Sequence, residues 1–479
     1  MNTHMKTQRG TSVRKPARFT VAALAPLLAA VGCTSVGPDY KAPVAAVPAE
    51  WRAAGDPAFS QQSTEISEWW RYLDDPVLDR LVERAIQQGP DLREAFARLR
   101  EAQALREVAG AERFPSLDVD ASYQRRGESE RTSAGAPVSN SSLYAAGLDA
   151  SWEIDLWGRI QRSVEAADAD LGASVEDSRA VALAVAAETA VNYVELRAFQ
   201  RRVAIAHRNA DLQEQTLALV QARFDAGLVG ERDVAQAATN VGITRSRVPA
   251  LETGWRAAEH RLAVLLGRAP GELAADLEGM RAIPVPPVEV AVGVPADLVR
   301  KRPDVRRAER LLAAEHARIG VATGDLYPRL ALFGSLGLAA DDASDLFRSG
   351  SDVFGIGPSI RWKLFDGARL RRRVEAQSAR AEQALVRWER TVLTALEETE
   401  NAMTAFVHDH TRRHSIREAA DQARRAVELS QFEYQEGVSD FQAVLDSQRA
   451  LAQLEDELAQ IEAAITTNLV ALYKALGGG

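Results

Sequence analysis

The fold is decided by residues 158–226, which read GRIQRSVEAADADLGASVEDSRAVALAVAAETAVNYVELRAFQRRVAIAHRNADLQEQTLALVQARFDA. The stretch contains no proline, and its single internal glycine is Gly172. Every seventh residue from Val175 to Phe224 is mostly apolar, and a companion row from Leu171 to Val220 is interrupted at Ser178, Asn192 and Gln213. Two such heptad rows predict one helix that packs against neighbouring helices along its length. At about 1.5 Å per residue, the helix would be roughly 100 Å long, several times the diameter of an ordinary domain.

Composition and charge exclude several classes of protein. The formal net charge of the 479 residues is −9, and the first 32 residues carry five basic and no acidic side chains, so their removal lowers it by five, to −14. Such an acidic chain, without a basic stretch interleaved with aromatic residues, is not expected to bind nucleic acid. With Cys33 as the only cysteine, an intrachain disulfide is impossible. Outside the N-terminus, no window has the 18 uncharged apolar residues that a transmembrane helix needs.

The N-terminus has the pattern of a secretory signal at residues 1–32, with basic residues up to Arg18 followed by a short apolar run. The run ends at Ala30-Val31-Gly32-Cys33, and small residues before a lone cysteine are typical of a lipoprotein cleavage site. We therefore expect Cys33 to be lipidated; the alternative is an ordinary signal and an incidental buried cysteine. Residues 33–75 are rich in proline and tryptophan and are predicted to be an extended segment.

Two stretches, 115–125 and 143–157, alternate apolar and polar residues. In the second, one face carries Trp152, Ile154 and Leu156, whereas the other carries glycine, serine and acidic residues. Strands of about ten residues, apolar outward and polar inward, are typical of transmembrane β-strands. A soluble antiparallel sheet over a core would show the same alternation, so both interpretations remain open at this point.

The second half of the chain repeats the first at a nearly constant interval. Gly89-Pro90-Asp91 returns as Arg302-Pro303-Asp304, and Trp152 returns as Trp362. Order-preserving matches of this kind indicate a duplication. The first repeat, residues 76–267, has a broken helix, the strand pair, the long helix 158–226 and a helix at 232–266. A proline-rich linker, 268–297, leads to the second repeat, 298–479, with strands 328–338 and 353–365, a long helix 367–436 and a helix 440–476.

The second strand pair has the same two faces, and Leu332, Ile360 and Trp362 belong to the apolar one. We therefore predict a helix-dominated fold with long α-helical hairpins and four transmembrane strands per chain. Four strands cannot close a barrel, and open sheet edges in lipid leave backbone groups unpaired. Two copies would give eight strands with a filled interior, and three would give twelve with a possible lumen. The polar inner face favours the homotrimer with a twelve-stranded barrel.

At this point the sequence resembles the TolC-like outer-membrane efflux proteins, in their NodT-like lipoprotein branch. The matching segments are Cys33 with 36–40 (VGPDY), 69–70 (WW), 152–159 (WEIDLWGR), 302–305 (RPDV), 327–328 (YP), 362–367 (WKLFDG) and 446–449 (DSQR). The resemblance implies a channel that crosses the outer membrane of a Gram-negative bacterium and continues through the periplasm as a helical tunnel. It also implies a periplasmic adaptor protein and an inner-membrane pump of the RND type as partners, and export of drugs or other toxic small molecules.

The resemblance further implies two kinds of site. The family's periplasmic gate corresponds to Asp446 and Arg449, with Asp440 as a substitute for a second acidic residue where this chain has Ala443. The alternative is an exposed ion pair within one helix. The family's adaptor-docking ends correspond to two helix–turn–helix tips, whose expected residues are Phe224, Gly227, Val234, Tyr434, Gly437 and Val444. Simple turn chemistry would also explain the two glycines.

No enzyme activity, cofactor or metal site is predicted. His410 and His414 are spaced for one helix face, but no nearby residue completes a ligand set, so a solvated surface is the preferred interpretation. Two other functions remain possible from the sequence. One is an outer-membrane channel for type I protein secretion, and the other is a lipid-tethered coiled-coil scaffold without a pore.

Overall fold

A computed structural model describes residues 35–60, 67–127, 140–284, 286 and 289–478. Its elements, in chain order, are β1 (Phe59–Ser60), α1 (Pro76–Gln88), α2 (Pro90–Ala111), β2 (Ser116–Gly127), β3 (Asn140–Ile154), α3 (Arg159–Asp225), α4 (Glu231–Leu265), α5 (Ala274–Leu277), β4 (Val290–Ala291), α6 (Pro295–Lys301), α7 (Pro303–Gly324), β5 (Arg329–Ala340), β6 (Asp352–Arg361), α8 (Arg369–Gln435) and α9 (Phe441–Ala475). The chain divides into two compact units, one built on the four long strands and one on the helices.

Among the described residues, the strand unit comprises 35–37, 113–127, 140–162 and 323–366. Its sheet is antiparallel with the order β2-β3-β5-β6, so each hairpin pairs internally and the two hairpins join where β3 meets β5. At this junction Gly147 lies opposite Gly337, and a Cβ at Gly337 would be only 2.7 Å from the carbonyl oxygen of Ala146. The close approach of the two hairpins therefore requires glycine.

Two strands end earlier than the alternation predicts. β3 ends at Ile154, so Leu156 lies in the bend before α3 and not in the strand. The Asp155 carboxylate accepts a hydrogen bond from the Gln161 amide at 2.8 Å, which satisfies one of the unpaired N–H groups at the start of α3. β6 ends at Arg361, so Trp362 and the residues to 365 also lie beyond the strand. For Leu156 and Trp362, the predicted strand position was wrong.

The described residues of the helical unit are 38–60, 67–112, 163–284, 286, 289–322 and 367–478. The two long helices, α3 and α8, have 67 residues each, and α4 and α9 have 35 each. On α3, the polar heptad residues Ser178 and Gln213 are buried and Asn192 is half-buried. In the described part of the chain, no helix is long and apolar enough to span a bilayer.

The segment predicted as a linker, 268–297, is instead partly folded into the core of the helical unit. Leu273 and Leu277 are buried there, and β4 pairs in parallel with β1. The Arg197 guanidinium, fully buried on α3, donates to the carbonyl oxygen of Gly279 at 2.9 Å. Two leucines, one just before the short helix α5 and one at its end, therefore anchor this segment, although its proline content indicated a connector.

The repeat persists in the packing. In the first copy, a Cβ at Gly89 would lie 2.9 Å from the carbonyl oxygen of Leu265 at the end of α4, so the backbones of these two segments are in close contact. In the second copy, Arg302 takes the place of Gly89 and donates to the carbonyl oxygen of Ala475 at 3.0 Å, as well as to Asp304 and Glu398. The C-terminal end of α4 is thus contacted by the backbone at Gly89, whereas the corresponding end of α9 is contacted by the Arg302 guanidinium.

Candidate functional site

The apolar side of the four-stranded sheet is largely exposed to solvent in the single chain. Its exposed side chains include Leu117, Val119, Tyr123, Leu148, Trp152, Leu332, Leu336, Phe354, Ile356 and Ile360. Contiguous apolar surfaces of this size mark membrane or protein contacts. The alternative of a soluble sheet packed over a core predicts that this face is buried, and the structure contradicts it.

The opposite face of the sheet carries its charged side chains, together with the exposed apolar residues Leu143, Phe333 and Val353. Asp118 lies directly opposite Asp149, and Arg329 lies directly opposite Arg361. Like charges at directly opposed positions destabilise a sheet, so this face is not arranged for the stability of one chain alone. Glu153 offsets part of the positive charge, since it accepts from Arg159 at 3.0 Å and lies 3.8 Å from Arg329.

Both outer strands are long and paired on one side only. β2 has 12 residues and pairs only with β3, whereas β6 has 10 residues and pairs only with β5. Each therefore presents a row of backbone N–H and C=O groups that no strand in the described part of the chain satisfies. Such edges are templates for pairing with another chain.

The two helix–turn–helix tips belong to the helical unit, and each turn depends on a glycine. Gly227 follows α3 with φ +75°, and Gly437 follows α8 with φ +74°, in the left-handed region that favours glycine. The amides of Gly227 and Leu228 donate to the carbonyl oxygens of Phe224 and Arg223, at 2.8 and 2.9 Å. The turn chemistry alone thus accounts for both glycines at the predicted positions.

A small apolar cluster, the tip cluster, fills the space behind the turns. Its buried members are Val220, Ala237, Tyr434, Phe441, Val444 and Leu445. Tyr434 and Val444 are therefore interior side chains and cannot contact an adaptor, which corrects their prediction as docking residues. Val234 packs against the same cluster and is half-buried, whereas Phe224 remains exposed.

The two predicted gate residues lie side by side on α9. Asp446 and Arg449 approach to 3.8 Å, and their side chains are 63% and 48% exposed. Arg449 also donates to the amide oxygen of the buried Asn240 on α4, at 3.2 Å. Asp446 accepts from Gln442 at 2.9 Å. Both charges remain accessible for contacts with another chain.

Asp440, the third predicted gate residue, lies directly before α9. Its carboxylate accepts from the Ala443 amide at 3.1 Å and caps the N-terminus of α9, which begins at Phe441. Aspartate is a preferred cap because its carboxylate oxygens satisfy the first amides of the helix. Asp440 is therefore engaged within its own chain as a helix cap.

Arg223 joins the two tips and was missed from the sequence. Its guanidinium lies 4.6 Å from the centre of the Tyr434 ring and donates to the Tyr434 carbonyl oxygen at the end of α8. A cation at a helix C-terminus is stabilised by the helix dipole. Burial raises the pKa of the Tyr434 phenol, while Arg223 opposes that shift. A basic residue in the last turn of a long helix could have indicated such a contact, but the partner of Arg223 lies in the other repeat.

Two other predictions concern the termini and the histidines. Cys33 and the signal at 1–32 lie outside the residues that the structure describes. His414 is 3.2 Å from Glu418, and within the described ranges no group of three His, Cys, Asp or Glu side chains is placed to hold a metal ion.

Comparisons with known proteins agree with this geometry. The family model of the outer membrane efflux proteins matches residues 81–268 and 294–478. Nodulation protein T of Rhizobium leguminosarum bv. trifolii is 30% identical over 448 residues, covering 94% of this chain and 95% of that protein. The pyoverdine export outer membrane protein OpmQ of Pseudomonas aeruginosa is 33% identical over 441 residues, covering 91% of each chain.

Among solved structures, the outer-membrane channel OprN superposes with a TM-score of 0.87 at 38% identity, covering 93% of this chain and 99% of that one. The open state of the Neisseria gonorrhoeae channel MtrE gives 0.79 at 26% identity, covering 93% and 98%. The predicted resemblance is confirmed, and the protein is placed in the outer membrane of a Gram-negative bacterium, extending into the periplasm. With a duplicated hairpin sheet, paired long helices and relatives matched over more than nine tenths of their length, the chain belongs to the outer membrane efflux protein family.

Proposed function

We propose that this chain is the outer-membrane channel of a tripartite efflux system, in which three copies close one twelve-stranded barrel and one helical tunnel. The observation that carries the proposal is the four-stranded sheet with two unpaired edges and an exposed apolar face. In lipid, each unsatisfied backbone group costs several kcal/mol, so a sheet of this kind is stable in a membrane only when closed by further copies.

The proposed cargo is drugs or other toxic small molecules, which pass without being chemically changed. Relatives named for pyoverdine export and for toluene efflux support a small-molecule cargo. In this proposal, an inner-membrane RND-type pump supplies the energy and selectivity, and a periplasmic adaptor protein joins the pump to the channel.

The proposed gate uses Asp446 and Arg449 from each of three copies. Their own ion pair is exposed, so within one chain it contributes well below about 1 kcal/mol. Crowding three copies of each charge at a constriction allows links between protomers, whose loss would open the channel as an iris. Asp440 is left out of this gate because it caps α9.

The proposed adaptor-docking surface is what remains of the predicted tips after the buried side chains are removed. Phe224, Gly227 and Gly437 lie at the surface, joined by the exposed side chains of Leu228 and Val438 beside the two glycines. Apolar residues exposed on tight turns suit contact with the apolar residues of a partner.

The proposed lipid anchor is Cys33. Two residues later, Ser35 lies so close to Gly158 that a Cβ there would be 2.6 Å from the serine hydroxyl oxygen. The Val36 amide also donates to the Trp157 carbonyl oxygen at 2.9 Å. Ser35, the first residue that the structure describes, is thus held against the segment between β3 and α3.

Two measurements on the purified protein test the channel. Native mass spectrometry in detergent is expected to give three times the mass of the processed chain, and planar bilayers are expected to show discrete conductance steps. Co-expression with the cognate pump and adaptor is expected to lower the accumulation of a fluorescent dye. A monomeric protein that never conducts would refute the channel and favour a lipid-tethered scaffold.

A further inference from the structure

The two β-hairpins of the sheet make the same contact at corresponding residues. The Trp152 indole donates to the carbonyl oxygen of Arg113 at 2.9 Å, and the Trp362 indole donates to that of Leu326 at 3.1 Å. The two tryptophans correspond in the sequence repeat, and the two acceptors are separated by the same interval as Gly89 and Arg302. A contact seen in one hairpin therefore has a definable counterpart in the other.

The pairing of β3 with β5 joins the two hairpins and shows the register that two neighbouring hairpins adopt. The last three residues of β3, Trp152 to Ile154, lie opposite Leu332 to Leu330 of β5, beyond the point where β2 stops pairing. Just past this junction, the Trp157 ring stacks on Tyr327 at 4.9 Å and its indole donates to the Pro328 carbonyl oxygen at 2.8 Å. The end of β3 is thus held by the next hairpin.

The end of β6 lacks such a neighbour in the part of the chain that the structure describes. The counterparts of Trp152 to Ile154 are Trp362 to Leu364, which follow the last strand residue, Arg361. Leu364 and Phe365 are 78% and 92% exposed. At the other edge, Phe114, which precedes β2 and corresponds to Tyr327, is 72% exposed. Each outer strand therefore lacks the contact that the inner junction provides.

In the sequence repeat, β3 corresponds to β6 and β5 corresponds to β2. Applying the register of the β3–β5 pair to β6 and β2 therefore gives one register for their pairing. Ile154 lies opposite Leu330. Leu364 corresponds to Ile154, because the two are separated by the same interval as Trp152 and Trp362. Leu117 corresponds to Leu330, because the two are separated by the same interval as Gly89 and Arg302. The counterpart of the Ile154–Leu330 pair is therefore Leu364 opposite Leu117. In an antiparallel pair, each residue forward on one strand is matched by one residue back on the other. The register therefore also sets Lys363 opposite Asp118 and Arg361 opposite Asp120.

We propose that β6 of one copy pairs with β2 of the next copy in this register, with Arg361 facing Asp120 and Lys363 facing Asp118. The inference rests on the proposed trimer and specifies its seam. β2 and β6 run in opposite directions within the sheet, so their pairing continues the antiparallel order around a closed barrel. The apolar residues Trp362 and Ile360 then share one face with Val119 and Ala121, which keeps the two faces of the sheet continuous.

The charges support this register independently of the repeat. Within its own chain, Arg361 faces Arg329 and Asp118 faces Asp149, two like-charge pairs that are unfavourable in a sheet. In the part of the chain that the structure describes, no ion-pair partner lies within 4 Å of Asp118, Asp120, Arg361 or Lys363. A neighbouring copy in the proposed register supplies an opposite charge to each of the four. A register shifted by two residues either way supplies only one such pair.

Disulfide trapping tests the register, in a Cys33→Ala background that removes the native thiol. Ile360→Cys with Ala121→Cys places two cysteines directly opposite, where Cβ atoms are about 5 Å apart and a disulfide forms readily. The matched controls combine Ile360→Cys with Val119→Cys or with Tyr123→Cys. Each of these β2 residues is the next one along the same face from Ala121. We expect covalent dimers and trimers from the first pair and at most a minor fraction from the controls.

The outcomes separate this inference from the proposed function. Efficient cross-linking of a control pair, with little from the first, would overturn the register and leave the trimer intact. Trimers by native mass spectrometry without any cross-link would also overturn the register. A monomer without cross-links would overturn the proposed function itself.

Charge reversal gives a second readout that a general folding defect cannot imitate. Arg361→Asp or Asp120→Arg alone is expected to lower the temperature at which the trimer dissociates in detergent, and the two together are expected to restore most of the loss. Failure of the double variant to recover, with each single variant still folded and inserted, would contradict the facing pair.

Discussion

Replacing both Asp446 and Arg449 by alanine separates gating from the stability of the chain. Their groups are 3.8 Å apart and about half or more exposed, so the pair itself contributes only about 0.3–0.5 kcal/mol. Arg449 also donates to Asn240, and losing this hydrogen bond costs about 1 kcal/mol. The free energy of unfolding is therefore expected to fall by no more than about 1–2 kcal/mol.

The effect on the channel is expected to be larger because three copies act together. If each of three contacts between protomers contributes about 0.5–1 kcal/mol, their joint loss shifts the closed-to-open equilibrium by about 1.5–3 kcal/mol. Since about 1.4 kcal/mol corresponds to a factor of ten, the open population would rise roughly 10- to 100-fold. This shift would be visible without a comparable change in thermal unfolding.

The assay compares single-channel conductance in planar bilayers with the uptake of a large antibiotic by cells that carry the variant. The matched control is Arg372→Ala with Glu375→Ala, an exposed ion pair of the same spacing near the start of α8, with its groups 2.6 Å apart. We expect higher conductance and uptake from the α9 variant only. Equal behaviour of the two double variants in both assays would refute the gate.

Three further substitutions test other parts of the structure. Phe441→Ala empties part of the buried tip cluster and is expected to lower the free energy of unfolding by about 3–5 kcal/mol. The measurement is hydrogen exchange, which is expected to be faster in the first turns of α9. Val438→Ala, at an exposed position, is the control. Gly337→Ala forces a Cβ to 2.7 Å from a carbonyl oxygen and is expected to cost about 1–3 kcal/mol in thermal unfolding, whereas Gly334→Ala on the same strand has open space; equal melting temperatures would argue against the close approach. Cys33→Ala is expected to abolish labelling by radioactive palmitate while trimers still form, and unchanged labelling would rule out lipidation.

Local periodicity explains why the elements are readable from the sequence. The heptad rows predict a helix over 158–226, and the structure has it at Arg159–Asp225. The alternation predicts four strands, and all four are present, although Leu156 and Trp362 fall outside their ends. At the end of β6 the alternating pattern continues to Leu364, but the strand ends at Arg361, and no described strand pairs with its outer edge.

Side-chain burial at the tips could not be predicted because it depends on partners distant in the sequence. Val444 and Tyr434 resemble surface residues of a turn, yet Val220 and Ala237, which belong to the first repeat, enclose them. Asp440 is predicted as a gate charge, and only the position of the Ala443 amide shows that its carboxylate caps α9. The segment 268–297 reads as a linker until Leu273 and Leu277 are seen in the core.

The sequence alone determined the long helices, the alternating strands and the duplication, because each is a regular pattern in neighbouring residues. Tertiary structure alone decided which tip residues remain at the surface and which lie inside, since burial requires two distant segments to meet. It also showed that β2 and β6 are the outer strands of the sheet and that their charges oppose like charges within the chain. Strand order and register are set by packing between hairpins that lie in different repeats, which no local pattern encodes.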